Sequence, residues 1–432
     1  MIRAHKIRLY PNNHQESLLV KSCGVARFAY NWALMEWYTQ YLSGEKPTES
    51  NLRKQLNSIK KEQFPWMREV TKSAPQQAIK NLGEAFQNTF DKIKNGKKLG
   101  KRKKKKRKKS ENEKENLISY LLDKPGFPKL KKKGINEKFR ADNGSIDGIQ
   151  DAIKVTDTHV WLPKIGWVRI NEKVRFLGNI VSATVSKKSN QWFVSISVET
   201  KEFLEGKLNG VVGVDLGIKS LAVLSTGEVI EGPKAHKSVL NRIKRLNRSL
   251  SRKQLGSANR KKAKTKLSRL HLRVFNVRQD SLHKLTHKLT TEFKIVCIED
   301  LNVQGMLKNH HLARAIADAG FSEFRRQLEY KSSMTGTQIV VANRWFPSTK
   351  RCCKCNQIHE MPLSKRIMEC SCGNVMDRDL NSANNLEIYA ESSPVLVCGE
   401  ESSGTTVRGC VKLSSRKQKS SIKSMRVGLN KS

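Results

Sequence analysis

The stretch Arg351–Asn381, RCCKCNQIHEMPLSKRIMECSCGNVMDRDLN, places a cluster of cysteines directly before two aspartates. Cys352 and Cys355 form a C-x-x-C pair, and Cys370 and Cys372 form a C-x-C pair. Four thiolates in two close pairs are a typical ligand set for a tetrahedral zinc ion. The stretch therefore predicts a zinc ribbon that leads straight into acidic residues.

The identity of the first zinc ligand is open between neighbouring residues. Cys353 can replace Cys352, which would give a C-x-C knuckle at both ends, and His359 is a spare ligand. We favour Cys352 because the C-x-x-C loop is the commoner knuckle. After its second cysteine each knuckle needs a residue that tolerates positive φ, and Asn356 and Gly373 stand at these positions. We expect one zinc ion with a structural role.

The chain is strongly basic, with a net charge of +44 over 432 residues. Such a charge predicts a polyanionic partner, and nucleic acid is the first expectation; a membrane-surface protein or a solubility bias is the alternative. No apolar run approaches the ~20 residues of a membrane span, and no signal-peptide pattern begins the chain. We expect a cytoplasmic protein with no membrane partner, in which clustered cysteines bind metal and form no disulfides.

The first half of the chain predicts a β-barrel-like domain with an inserted helical bundle. AHKIRLYP alternates like a strand, and SATVSKKSNQWFVSISVET predicts a hairpin that turns at Lys-Ser-Asn. Residues 1–12 and 125–205 are assigned to the barrel-like domain, and residues 13–124, with a lysine-rich run, to the bundle. The bundle helices are predicted to run from Asn12 or Asn13 to Gly44, from Thr48, and from near Ser73 to Gly96.

The second half predicts a separate α/β domain over residues 206–345 and 376–390. Three short strands begin at GVVGVDLG, and two long basic helices broken at GSANRKK follow them. A buried strand FKIVCIED, a helix, a strand TQIVVAN and a last helix complete the order, which is typical of an RNase H-type core. The zinc ribbon, 346–375, is inserted before the last helix, and the tail 391–432 is expected to be disordered. The predicted class is α+β multidomain.

Three carboxylates stand out by position in this second domain. Asp215 and Glu299 lie at the ends of apolar strands, and Asp379 opens the last helix. Each alone has an ordinary explanation as a turn residue, and Asp377 and Asp379 can both be helix caps. Together they can bind two divalent cations ~4 Å apart, which activate water for phosphodiester cleavage. In so basic a chain, the three acids favour a nuclease.

The motifs VVGVDLG, IVCIEDL, FPSTKRCCKC and CSCGNVMDRDLNSANN, with RLYPN and ARFAYNWAL near the start, resemble the TnpB family of transposon-encoded proteins. This family is related to the type V CRISPR effectors. The resemblance implies a wedge domain and a RuvC-like nuclease domain that cuts double-stranded DNA beside a short target-adjacent motif. The guide is an RNA from the transposon end, and base pairing reads most of the target.

The resemblance also implies roles for individual residues. Asp215, Glu299 and Asp379 match the catalytic triad that holds two magnesium ions, and the second aspartate of Asp-Arg-Asp favours Asp379 over Asp377. TKSAPQQAIKNL resembles the helix start that reads the target-adjacent motif, which makes Lys72 and Gln76 candidates. An ordinary exposed helix start is an equal explanation for those two.

Several functions stay open on the sequence. The leading one is an RNA-guided, magnesium-dependent endonuclease that acts as a monomer on nucleoid DNA. The others are an RNA-guided repressor without cleavage, a transposase, and an unguided zinc-ribbon protein that only binds nucleic acid. Three features depart from the family pattern: the C-x-C second knuckle, Ser382, which stands where alanine is usual, and an insertion-like stretch from about Lys101 to Gly126.

Overall fold

The computed structural model describes residues 1–96, 118, 120–144, 152–200, 209–362 and 364–392. Most of the lysine-rich run and the tail from residue 393 lie outside the described residues, so the predictions about them stay predictions. Within the described ranges, none of the helices combines the length and apolar character needed to span a bilayer.

The helical bundle begins where the capping signals predict. The side chain of Asn12 accepts from the backbone of Gln15, whose side chain accepts in return from the backbone of Asn12, so both ends of a capping box are present. Thr48 caps the second helix in the usual way. Gly44 and Gly96 follow helix ends with φ of +84° and +64°. The helices are α1 (Asn13–Leu42), α2 (Glu49–Ile59) and α3 (Ser73–Lys94), with a 3₁₀ turn at Pro65–Glu69.

Seven strands of the described residues form the first sheet, in the order β2-β6-β7-β1-β5-β4-β3. As predicted, the first strand of the chain joins this sheet, antiparallel to β7 and β5. The β6–β7 hairpin turns at Ser189 and Asn190, whose φ values are +51° and +59°. The strands are β1 (Ile2–Tyr10), β2 (Lys138–Asp142), β3 (Lys154–Val155), β4 (His159–Leu162), β5 (Gly166–Ile170), β6 (Asn179–Lys188) and β7 (Gln191–Glu199).

The two edges of this sheet approach each other without a backbone ladder between β2 and β3 in the described residues. Asn143, just after β2, accepts at 2.8 Å from the backbone of Ile153, just before β3. The same side chain donates to the carbonyl of Ile180. A side-chain amide thus connects the edges, which fits a barrel-like sheet that is not closed by strand pairing.

The helical bundle and the first sheet share one hydrophobic core. Leu34 of α1, Phe86 of α3 and Val194 of β7 belong to a single buried cluster. The ring of Phe86 stacks on Trp37 with 4.3 Å between centroids. The helices therefore pack on one another and on the sheet around one common core.

The second sheet has the order β10-β9-β8-β11-β12. β11 pairs in parallel with β8 and β12, and β9 pairs antiparallel with β8 and β10. This is the predicted order of elements. The strands are β8 (Asn209–Asp215), β9 (Ala222–Leu224), β10 (Val229–Ile230), β11 (Phe293–Glu299) and β12 (Gln338–Ala342).

Helices cover both faces of this sheet. The helices over Ala258–Glu292 and Phe321–Thr335 bury Leu285 and Phe324 against Val212 and Val214. The last helix, Arg378–Glu391, buries Leu386 on the opposite face. The second cysteine pair lies in the turn of a small hairpin, β13 (Ile367–Glu369) with β14 (Val375–Asp377). The last helix follows β14 directly. The helices are α4 (Ala235–Ser238), α5 (Leu240–Ser251), α6 (Ala258–Glu292), α7 (Val303–Met306), α8 (Ala313–Ala319), α9 (Phe321–Thr335) and α10 (Arg378–Glu391).

The backbone of α10 packs directly on β8 at Gly213. A Cβ atom at this position would lie 1.9 Å from the carbonyl oxygen of Ala383 and 2.6 Å from the amide nitrogen of Glu387. Neither backbone atom can move without the helix. Any side chain at residue 213 would therefore push α10 away from the sheet.

Gly213→Ala is expected to lower the free energy of unfolding by about 1–3 kcal/mol or to abolish folding, because the added methyl group overlaps backbone atoms. Gly210→Ala in the same strand is the matched control, since a Cβ there meets nothing within 4 Å. Denaturant unfolding of both variants measures the difference. Equal stability of the two would contradict the close contact.

Candidate active site and metal centre

Two of the predicted acids lie side by side at one edge of the second sheet. Asp215 and Glu299 are the last residues of adjacent parallel strands, and Ile298 pairs with Val214 just before them. Since side chains alternate along a strand, both acids point to the face that α10 covers. Asp215 is buried, with 8% of its surface exposed. The parallel pairing thus brings together two acids far apart in the chain.

The third acid comes from the first turn of α10. Asp377 caps this helix, because its side chain accepts from the backbone of Asp379 and Leu380. Asp379 is not the N-cap residue of this helix. Arg378 Nε lies 3.4 Å from Asp379 Oδ1. The structure thus gives the two aspartates of Asp-Arg-Asp different positions, and Asp379 is the one near Asp215.

The electrostatics of Asp215 show that the three acids share one site. The pKa of Asp215 is raised to about 8. Burial is the largest cause, and the negative charges of Glu299 and Asp379 act in the same direction. Ser382 and Arg378 oppose these effects and lower the pKa only in part. The positive charge of Arg378 therefore does not balance the three acids, and a cation at this place would favour the ionised form of Asp215 and reduce the repulsion.

The donor set of this acidic site fits magnesium, which prefers carboxylate oxygens. The acids do not form a closed cage, because the four cysteines are the only set of potential ligands in the described residues whose atoms all lie within 4.8 Å. The carboxylate of Glu299 instead accepts a short hydrogen bond from the hydroxyl of Ser348.

Ser382 is a further polar group at the acidic site. Its side chain is fully buried, and its Oγ has no hydrogen-bond partner at normal distance among the described atoms. Its position nevertheless favours the ionised form of Asp215. The hydroxyl therefore acts on the carboxylate of Asp215, whose negative charge it stabilises.

The four predicted cysteines form the second candidate metal site. The Sγ atoms of Cys352 and Cys372 lie 3.7 Å apart, and those of Cys355 and Cys370 lie 3.3 Å apart. A zinc ion with bonds of about 2.3 Å needs sulfur atoms about 3.8 Å apart, so the set fits zinc. Asn356 and Gly373 adopt φ of +66° and +82°, as the knuckle pattern predicts.

The neighbouring alternatives have other surroundings. Cys353 is not in the four-cysteine set, and its sulfur lies 3.6 Å from that of Met376. His359 Nε2 lies 3.1 Å from the sulfur of Cys370, so it contacts a ligand of the site from outside that set. Asn374 donates to the sulfur of Cys352, which favours the thiolate that metal binding needs.

The four-cysteine segment is attached to the acidic site by the side chains of Asn381 and Asn385, for which the sequence analysis predicts no role. Asn381 Nδ2 donates to the carbonyl of Arg351, and Asn385 Nδ2 donates to the carbonyls of Ser348 and Arg351. Asn381 also accepts from the backbone of Cys353. The signal was present, since two asparagines four residues apart lie on one face of a helix.

Lys72 and Gln76 lie at the start of α3, away from the acids. Lys72 directly precedes the helix and is exposed, and Gln76 is half-buried. Their neighbour Gln77 donates a short hydrogen bond to Asp142 of the first sheet. Nothing in these contacts assigns a role to the pair, so motif reading by Lys72 and Gln76 stays a prediction.

Comparison with known proteins finds relatives that match over nearly the whole chain. A protein of Streptomyces pristinaespiralis named "Putative RNA-guided DNA endonuclease" is 35% identical over 92% of this chain and 91% of its own length. Family models described as "Probable transposase" (OrfB of IS605), "Cas12f1-like, TNB domain" and "Helix-turn-helix domain" match residues 183–310, 321–386 and 1–46. The chain belongs to the TnpB family.

Further known proteins are similar to this chain at lower identity. "Putative RNA-guided DNA endonuclease InsQ" of Escherichia coli K12 is 29% identical over 92% of this chain and 94% of its own length. The solved "Cryo-EM structure of the Cas12f1-sgRNA-target DNA complex" covers 90% of this chain and 98% of its own, at 14% identity and a TM-score of 0.47. That score is below the level that establishes a common fold. The family resemblance predicted from the motifs is confirmed.

Cys355→Ser is expected to lower the zinc content of the purified protein from about one ion per chain to near zero, because a thiolate ligand is lost. Cys353→Ser is the matched control and should retain the metal. Elemental analysis of both proteins measures the outcome. Loss of zinc from the Cys353 variant as well would show that the first knuckle uses Cys353 instead of Cys352.

Asp215→Asn is expected to stabilise the protein in buffer without magnesium. Unfolded aspartate loses its proton near pH 4, whereas buried Asp215 keeps it until about pH 8. The folded state therefore binds more protons between these values, and the free energy of unfolding falls as the pH rises. We expect a Tm increase of a few degrees at pH 8–9 that shrinks toward pH 4.

The control for this measurement is Asp157→Asn, at an exposed bend of the first sheet domain. It should leave the Tm unchanged at both ends of the pH range. A decrease of Tm for Asp215→Asn at pH 8–9 would mean that the ionised carboxylate is stabilised in the metal-free protein, against the electrostatics described above.

Proposed function

We propose that this protein is an RNA-guided endonuclease that cleaves double-stranded DNA next to a short target-adjacent motif. The observation that carries the proposal is the shared acidic site of Asp215, Glu299 and Asp379 at the edge of the second sheet. Relatives that align over more than nine-tenths of the chain are named as RNA-guided DNA endonucleases. The net charge of +44 suits a protein that holds two nucleic acids at once.

The second sheet and its helices are, in this proposal, a RuvC-like nuclease domain. Its strand order, with three antiparallel strands followed by two parallel ones, supports this identification. The first sheet takes the part of the wedge domain, and α1–α3 that of the recognition domain. Lys72 and Gln76 would read the target-adjacent motif by hydrogen bonds to base edges.

Asp215, Glu299 and Asp379 would hold two magnesium ions. When bound, such ions would supply an activated water and would stabilise the leaving oxygen of the phosphodiester. The chain's own residues prepare the site: Ser348 orients Glu299, and the first turn of α10 presents Asp379. Asp215 must give up its proton to bind a cation, so metal binding and proton release are coupled.

The zinc ion is proposed as a single structural ion that holds the loop carrying Ser348. We further infer that the protein acts as a monomer in the cytoplasm, bound to nucleoid DNA through its guide. A guided repressor without cleavage is less well supported, because all three acids are present and share one site.

The test begins with expression of the protein together with its flanking transposon DNA. We expect one RNA species that ends in variable sequence to copurify and to direct cleavage of a matching DNA. Asp215→Ala should reduce the cleavage rate by at least about a thousandfold while guided binding persists, since only metal binding is lost. Gel assays of cleavage and of binding measure the two effects separately.

Asp157→Ala is the matched control and should cleave like the unchanged protein. A mixture of unrelated cellular RNA would contradict guidance and favour an unguided nucleic-acid-binding protein. Guided binding without cleavage by the unchanged protein, at any magnesium concentration, would favour the repressor. Cleavage by the Asp215 variant would show that the active site lies elsewhere.

A further inference from the structure

A cleft of about 390 Å³ opens beside Glu299. Its apolar wall includes Leu216, Ile298 and Phe321, and its polar wall includes Arg325 and Arg344. Because Glu299 is part of both the cleft and the acidic site, whatever occupies the cleft lies next to the reacting group. The proposed cleavage mechanism assigns no role to this space or to its arginines.

One aspartate fixes the two arginines of the cleft. Asp300 Oδ1 accepts from Arg325 Nη1 at 2.8 Å, and Oδ2 accepts from Arg344 Nη2. Arg325 Nε also donates to Glu329 at 3.0 Å. In the part of the chain that the structure describes, Arg325 Nη2 and Arg344 Nη1 have no acceptor. Each guanidinium is thus held in place with one nitrogen left as a donor, and a phosphate oxygen is a suitable acceptor for it.

Trp345 directly follows Arg344, and 86% of its surface is exposed. Single exposed apolar residues are common and need no explanation by themselves. The backbone around Trp345 is not loose, however. Asn343 Oδ1 accepts from the amide of Trp345 at 2.9 Å, and the amide of Phe346 donates to the carbonyl of Asn343 at 2.9 Å.

Both neighbours of Trp345 are also anchored. The ring of Phe346 contacts that of Tyr389 with 4.8 Å between centroids, and Arg344 is paired with Asp300. The indole is therefore presented to solvent by a fixed turn at the rim of the cleft. An exposed aromatic ring on a fixed stretch of backbone, next to arginines that can contact phosphate, is an arrangement that binds single-stranded nucleic acid.

We propose that this rim and cleft bind the DNA strand to be cut, with the base of one nucleotide beside the scissile phosphate stacked on Trp345. Arg325 and Arg344 contact the adjoining phosphate. The inference rests on the proposed function, which requires a strand to reach Glu299. Stacking accepts every base, so this contact suits an enzyme whose sequence choice is made by a guide.

The first experiment combines Trp345→Ala with abasic nucleotides placed one at a time on each side of the cut. Trp345→Ala should lower the single-turnover cleavage rate by roughly 5- to 100-fold and leave guided DNA binding unchanged. In the unchanged protein, one abasic position should cause a similar loss. In the variant, the same abasic position should cause no further loss, because the stacking partner is already gone.

Two variants control for general damage. Trp345→Phe should keep most of the rate, because a smaller ring still stacks. Leu255→Ala, at another strongly exposed apolar residue, should have no effect. If the rate loss from Trp345→Ala and the rate loss from an abasic nucleotide multiply at every position, the two act independently and the proposed stack is overturned. An unchanged rate for Trp345→Ala would overturn it as well.

A second experiment does not depend on cleavage. A single-stranded oligonucleotide with 5-iododeoxyuridine is irradiated with the protein, and the crosslinked residues are mapped by mass spectrometry. Crosslinking at Trp345 supports the site even if no guided cleavage is found, in which case only the proposed function fails. Guided cleavage without a crosslink at Trp345, with crosslinks elsewhere on the protein, overturns this inference and leaves the proposed function intact.

Discussion

The backbone of α10 rests on β8 at Gly213, and the candidate active site depends on this contact. Two residues beyond Gly213 the strand ends at Asp215, and one turn before Ala383 the helix presents Asp379. A methyl group at residue 213 would separate the two acids together with the elements that carry them. The parallel neighbour β11 then brings Glu299 to the same edge. The acidic site is therefore a consequence of one backbone approach and one strand pairing.

Hydrogen bonds connect the four-cysteine cluster to the acidic site. Asn381 and Asn385 of α10 hold the carbonyls of the loop that leads into Cys352, and Ser348 of this loop binds Glu299. Movement of the knuckle would therefore disturb a carboxylate at the other side of the site. A metal held by the four cysteines would fix this loop, on which the position of Glu299 depends, and this would account for cysteines that stand directly before the acids in the chain.

The sequence predicted features that are set by local chemistry. Caps at Asn12 and Thr48, the turn at Ser189–Asn190 and the positive φ of Asn356 and Gly373 follow from neighbouring residues alone. The strand-end acids were found because a charge in an apolar run is unusual. The common core of α1–α3 and the first sheet, the contact at Gly213 and the bond between Ser348 and Glu299 were not predicted. Each joins segments distant in the chain, and only packing decides which of them meet.

The charge of the chain and that of its acidic site act in opposite directions on nucleic acid. A net charge of +44 attracts any polyanion, with little regard to sequence. The carboxylates around Asp215 repel a phosphate as long as no cation is bound, and the raised pKa of Asp215 disfavours loading of the site by keeping a proton there. In the proposed function, the net charge would attract nucleic acid in general, while entry of a phosphate next to Glu299 would require both a cation and groups that hold the strand. Arg325 and Arg344, fixed by Asp300 beside Glu299, are placed to supply the second requirement.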